Sequence, residues 1–110
     1  MGGLIKGDVV VVPFPFSDLT GVKNRPAVIV TTFPGQGILL CQITSKFAGV
    51  DYEVSLQLSD FAQGKLARQS YARPDRLFTF NSQLIQSHVG ALKPNKMQEI
   101  VDHIVRFVTS

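Results

Sequence analysis

The 110-residue sequence has no tryptophan, a single cysteine and two histidines. One cysteine, Cys41, closes no disulfide within the chain, which excludes a disulfide-held scaffold and fits a reducing cytoplasm. It stands in the apolar run Ile38-Leu39-Leu40-Cys41 and reads as a small buried hydrophobe. His88 and His103 form no ligand pair at helical or Cys-x-x-Cys spacing, so neither a metal site nor a cofactor is expected. His88 reads as a turn residue within Ser87-His88-Val89-Gly90. His103 reads as a helix-surface residue within reach of Glu99, four positions earlier. A nucleophilic triad is excluded, because Cys41 is flanked by apolar residues and no histidine sits beside a serine that resembles a nucleophile. Gly-rich loops that cradle phosphates or dinucleotides are absent as well. The longest apolar run near the N-terminus, Val9–Val12, falls far short of the roughly 20 residues that span a bilayer, so no membrane association is expected. The opening Met1-Gly2-Gly3-Leu4-Ile5-Lys6 does not read as a signal peptide, and Lys6 stands where a myristoylation motif needs Ser or Thr.

What is present suffices for one domain over residues 1–110 with a core of its own. Hydrophobic residues make up 45% of the chain, charged residues 17%, and eight phenylalanines supply bulk. The net charge of +3 is uneven. Residues 1–60 carry four basic and five acidic side chains, whereas residues 61–110 carry seven basic and three acidic ones. Lys65, Arg68, Arg73 and Arg76 fall in twelve residues with only Asp75 against them. Such a cluster suits a polyanion, although a solvated charged turn reads the same way.

The pattern predicts a mainly β chain with a C-terminal helix. Asp8–Phe16 opens on four valines and reads as a strand whose Pro13 and Pro15 end ladder pairing or place it at an edge. Residues 17–24 read as a loop and Ala27–Thr32 as a second strand entered through Arg25-Pro26. A turn at residues 33–37 leads to a third strand, Ile38–Thr44. Tyr52–Leu58 alternates, with Val54, Leu56 and Leu58 on one side. Leu66–Ala72 and Leu77–Phe80 read as short strands around a break at Arg73-Pro74-Asp75. Met97, Ile100, Val101, Ile104, Val105 and Val108 then follow helical spacing, and Pro94 suits the first helical position. Five or six short strands closed by one helix point to a small barrel or strongly curved sheet.

With metals, triads and phosphate loops set aside, Arg, Thr, Ser and Asp remain. This set is compatible with phosphodiester chemistry that needs no metal. Attack by an RNA 2′-hydroxyl requires a base for its proton, cations for the charge growing on the phosphoryl oxygens and an acid at the leaving oxygen. The planar fork of Arg matches two such oxygens at once.

Several segments together resemble the MazF/PemK toxins of type II toxin–antitoxin systems. They are Lys6-Gly7-Asp8-Val9-Val10, Arg25-Pro26-Ala27-Val28-Ile29-Val30, Ile43-Thr44-Ser45-Lys46, Ser70 to Thr79, and Val89-Gly90-Ala91-Leu92-Lys93-Pro94 with the helix behind it. The resemblance covers nearly the whole chain. It implies a small SH3-like barrel of the CcdB/MazF/PemK type acting as a homodimer. It also implies metal-independent cleavage of single-stranded RNA to a 2′,3′-cyclic phosphate and a 5′-hydroxyl. A cognate antitoxin would occupy the RNA groove, and against this basic chain it is expected to be acidic and disordered when free.

The resemblance places the family's catalytic arginine on Arg25, its Thr or Ser on Thr44, and its Arg-x-Asp pair on Arg73 and Asp75. Lys23, Ser45, Lys46, Ser70, Tyr71 and Arg76 are the matching candidates for RNA contact. Asp75 is the preferred base, with Arg25 and Arg73 stabilising charge and Thr44 positioning the phosphate. The sequence departs from the PemK pattern in three places. The first loop has no histidine, Lys23 stands near the usual acidic residue, and Arg76 replaces a glutamine. Alternative roles for these residues are structural. Arg25 could pair with Asp18, Arg73 with Asp75 in a turn salt bridge, and Phe14 and Phe16 could serve a core or dimer contact instead of stacking bases as Tyr71 could. Two other functions stand beside cleavage: a gyrase-binding toxin like CcdB, against which the lack of tryptophan and the ending Phe107-Val108-Thr109-Ser110 argue, and an RNA-binding module without cleavage.

Overall fold

Four β-branched valines, stiff at χ1, start strand β1 (Asp8–Pro15). The computed structural model describes residues 3–15 and 21–110, with the backbone alone at Pro15. Phe16 and Asp18 lie outside the described residues. Among the described residues the chain continues through β2 (Val22–Thr32), β3 (Gly37–Thr44), β4 (Val54–Leu56), a 3₁₀ turn (Leu58–Asp60), β5 (Phe61–Gly64), β6 (Ser70–Asn81), a second 3₁₀ turn (Ser82–Leu84), β7 (Ser87–Leu92) and helix α1 (Pro94–Thr109). The strands form one sheet in the order β4-β6-β3-β2-β1-β7-β5, and every pairing is antiparallel.

The sheet curls until its two edges share a core. Val54 and Leu56 come from one edge strand and Phe61 from the other, yet all three sit in one apolar cluster with Val9, Ile43 and Leu92. Helix α1 covers that cluster with Met97 and Ile100. A second cluster lines the opposite face: Val10, Val12 and Phe14 of β1, Ala27 and Ile29 of β2, and Ile38 and Leu40 of β3. Alternation along each strand sends odd and even positions to different clusters, so both faces of the central strands are buried. Close approach of β5 and β7 is possible only because Gly64, in the left-handed region at φ 69°, lacks a Cβ; one would meet the Val89 carbonyl.

Several expectations need correcting. Strand β2 begins at Val22, five residues before Ala27, because the β1–β2 hairpin pairs outward through Pro13↔Asn24 and Pro15↔Val22. The prolines are accommodated because β7 pairs only with Asp8–Val11, which leaves the far half of β1 as an edge on that side. Leu58 is 70% exposed: the 3₁₀ turn interrupts the alternation that carries Val54 and Leu56 inward. β5 was not anticipated, and Leu66–Gln69 is not a strand. Ser70–Asn81 is one strand, not two, since Pro74, Asp75 and Arg76 bulge out between the pairs Gln42↔Arg73 and Cys41↔Leu77. The described residues therefore form seven strands. His88 belongs to β7, with its Nε2 3.6 Å from Asp8 Oδ1. Glu99 pairs with Lys96 Nζ at 3.0 Å and not with His103. On α1, Val101 and Ile104 pack on the core, but Val105 and Val108 are exposed.

Candidate functional site

The candidate residues gather where the second apolar face of the sheet turns polar. Antiparallel pairing sets Thr44 opposite Tyr71, and Tyr71 opposite Ser55, so these three side chains share a face. Two positions along, Gln42 stands opposite Arg73 on that same face. The β2–β3 ladder ends at Ala27↔Gln42, and the same register carried two residues further runs Arg25 against Thr44. Lys23 lies two residues beyond Arg25, hence also on this face. Arg25, Thr44, Tyr71 and Arg73 thus come from three adjacent strands separated by long stretches of sequence: β3 carries Thr44 against Tyr71, with Arg73 on β6 at one side and Arg25 on β2 at the other.

Arg73 is 8% exposed and bound in a two-pronged fork: its Nε donates to Asp75 Oδ1 and its terminal nitrogen to Asp75 Oδ2, both at 3.0 Å. Asp75 lies in the bulge, two residues along the chain from Arg73. Asp75 raises the Arg73 guanidinium above its already high ordinary pKa, and Tyr52 adds to this against the opposing effect of burial. The Arg73 guanidinium lies 5.8 Å from the centre of the Tyr52 ring, and Phe107 of α1 meets Tyr52 edge-on at 5.0 Å. The tip of the helix therefore braces the platform beneath the arginine. Thr44 is nearly buried, and its Oγ1 accepts from the Lys46 backbone N–H at 3.1 Å, which fixes the chain's turn out of β3. Ser45 and Lys46 are exposed in that bend, and Arg76 is exposed at the bulge.

Other residues singled out from the sequence fall elsewhere. Ser70 stands opposite Leu56 on the core side, 5% exposed, and its hydroxyl donates to the Arg68 carbonyl at 2.9 Å. Period-2 alternation puts it on the opposite face from Tyr71 and Arg73, so it is not part of this row. The basic cluster also divides: Lys65 and Arg68 border a separate groove of about 270 Å³ with Leu56, Phe61 and Leu66, while Arg73 is turned inward onto Asp75. Phe14 is a core residue, packed edge-on against Phe78 and Phe80 at 5.1 Å each. Three contributors were missed. Gln42 could be found only from the register with Arg73. Tyr52 and Phe47 carried a signal as aromatics in polar surroundings; Phe47 lies 5.6 Å from Tyr71, ring to ring. Cys41 is fully buried, its thiol donates to the Arg73 carbonyl at 3.2 Å, and burial pushes its pKa up to about 12.

Fold and site together define a small mainly β protein: a curled antiparallel sheet, one C-terminal helix, and a polar, cation-bearing end on one sheet face. The chain belongs to the PemK-like, MazF-like toxins of type II toxin–antitoxin systems, whose family model matches residues 5–108. No curated protein matches the sequence itself. Solved structures match the fold. A MazE–MazF structure from Deinococcus radiodurans aligns over 100% of both chains at a TM-score of 0.79 and 14% identity. An endoribonuclease in complex with its cognate antitoxin, from a mycobacterial species, aligns over 96% of this chain and 95% of its own at 0.77 and 14%. The Mycobacterium tuberculosis toxin MazF-mt6 aligns over 88% and 93% at 0.66 and 19%. Among the described residues, no helix is long and apolar enough to cross a membrane.

Proposed function

We propose that this toxin is a metal-independent endoribonuclease that cuts single-stranded RNA, leaving a 2′,3′-cyclic phosphate and a 5′-hydroxyl. It acts in the cytoplasm as a homodimer of one toxin domain per chain and is held inactive by a cognate antitoxin. The observation that carries the reading is the register that sets Thr44 opposite Tyr71 and Gln42 opposite Arg73, with the Arg73–Asp75 fork on β6 and Arg25 on β2, the strand at the other side of β3. The family supports it, as do fold relatives that include an endoribonuclease bound to its antitoxin.

In this reading Thr44 and Arg25 seat the scissile phosphate, and Lys23, Ser45, Lys46 and Arg76 hold the flanking backbone. Asp75 takes the 2′-hydroxyl proton as the oxygen attacks the adjacent phosphorus; the bond from phosphorus to the 5′-oxygen breaks, and the leaving oxygen takes a proton from solvent water to become the 5′-hydroxyl. The fork then loses the charge of its acceptor, and the Arg73 guanidinium turns to the charge growing on the phosphoryl oxygens. Both arginines act as stabilisers: their protons are held too tightly for them to serve as acids. Cleavage of single-stranded RNA in EDTA is the test. The downstream fragments should accept label from a polynucleotide kinase without prior dephosphorylation, which reports the 5′-hydroxyl. RNA that is bound but stays intact would leave only a binding module. The antitoxin is expected to be acidic where it fills this face, so its affinity should fall as salt rises.

A further inference from the structure

Phe47 is the most exposed aromatic side chain among the described residues, at 72%. Its loop is tied down at both ends. Thr44 Oγ1 holds the Lys46 N–H, and the Glu53 carboxylate accepts from the backbone N–H groups of Ala48 at 2.7 Å and Gly49 at 3.2 Å. The ring leans on Tyr71 at 58°, and Tyr71 stands directly opposite Thr44. Together they wall an open cavity of about 320 Å³ that Val50, Asp51, Glu53 and Ser55 complete.

The chemistry of this cavity is unlike that of the neighbouring row. It offers flat aromatic faces and carboxylates, and no cation among its lining residues. A phosphate would be repelled, whereas a flat, neutral ring would stack. The two carboxylates differ. Both Glu53 oxygens are taken by loop amides, while the exposed Asp51 carboxylate has no hydrogen-bond partner among the described residues. A carboxylate accepts two side-by-side donors. Guanine presents such a pair, N1–H and the 2-amino group. The pairing edges of adenine, cytosine and uracil set an acceptor next to their donor and would oppose one carboxylate oxygen.

We propose that the cavity between Phe47, Tyr71 and Asp51 is a nucleobase subsite that selects guanine in single-stranded RNA beside the phosphate held at Thr44. The proposal rests on reading the toxin as an RNA-binding protein, and binding can be measured apart from cleavage. The probes are fluorescently labelled 2′-O-methyl oligouridylates of eight residues, which lack the attacking hydroxyl, with uridine, guanosine, adenosine or inosine at one central position. By fluorescence anisotropy the guanosine probe should bind about tenfold more tightly than the uridine or adenosine probes, the scale of one bidentate base contact. Inosine, without the 2-amino group, should fall between. Asp51→Asn, whose amide offers one acceptor and one donor, should abolish the preference. Phe47→Ala should weaken all four probes about tenfold, and Phe47→Trp should restore them. Both sites are exposed, so melts should confirm that the variants fold. Equal binding of the four probes by the wild-type protein overturns the proposal, as does a preference that survives Asp51→Asn. Variants that bind RNA normally but lose affinity for the antitoxin would assign the cavity to the antitoxin and overturn it too. A protein that selects guanosine yet leaves unmodified RNA uncut keeps the subsite and ends the cleavage reading. Cleavage with no guanine dependence does the reverse.

Discussion

Arg25 sits in the middle of the β1–β2 hairpin, opposite Val12, and not at a strand entrance. Its backbone is pinned by Pro26 and by the ladder, so the side chain is carried by a rigid element at the polar end of the sheet. Arg25→Ala should lower single-turnover RNA cleavage by about 10²–10³, the scale for removing one preorganised donor, while the melting temperature changes little. Arg25→Lys should recover little, because a point charge lacks the two-pronged geometry. An Arg25→Ala variant that cuts at the wild-type rate would remove the residue from the mechanism. Cys41 gives a prediction of the opposite kind, about stability. Its folded thiol titrates near 12, above the ordinary range of roughly 8.5. The native state therefore keeps a proton that the unfolded chain loses. This contribution is fully present below the unfolded value and is lost as pH rises toward the folded one. Urea melts at pH 8 and pH 10.5 should show a smaller alkaline loss for Cys41→Ala than for the wild type. The native thiol should also resist aromatic disulfide reagents until the protein unfolds.

At the level of elements, helix α1 shows how far an amphipathic pattern reaches before tertiary contacts run out. Its apolar stripe continues from Met97 to Val108, but only the first turns lie over the sheet. Ile100 is fully buried, so Ile100→Ala should cost about 2–5 kcal/mol in denaturant melts. Val108, at 74% exposure, should tolerate Ser within about 0.5 kcal/mol. Equal costs at the two positions would mean that something covers the last turn. Phe107 is the exception at that end, since its ring edge meets Tyr52 and, through it, the platform under Arg73. Strand β6 carries the other device. Within its bulge Asp75 accepts both donors of the Arg73 fork.

For the whole molecule, a small apolar-rich domain points to a second copy. The barrel valines are not available to it: Val9, Val10, Val12 and Val28 are fully buried inside the single chain. The large apolar side chains exposed among the described residues are instead scattered: Ile5, Val22, Phe33, Phe47, Leu58, Phe78, Leu84 and the end of α1. Sedimentation equilibrium at micromolar concentration should return twice the 12.1 kDa chain mass. A single-chain mass would withdraw the dimer.

The sequence by itself determined the elements that local chemistry controls. Four valines made β1, Pro94 and the 3.6-residue period made α1, and apolar neighbours put Cys41 inside. The Gly7-Asp8 and Arg25-Pro26-Ala27-Val28 segments carried the resemblance to the family. Only the tertiary structure decided which face each candidate occupies. Ser70 and Tyr71 are adjacent in the chain, yet one faces the core and the other the site. Arg25 and Arg73 are far apart in the chain, yet the sheet brings them to the same face. The physical reason is that periodicity is a local property, whereas register, bulges and the meeting of sheet edges are set by pairing between distant strands. The Pro74–Arg76 bulge reads in sequence as a break, and only its partner β3 turns it into the fork that holds Arg73.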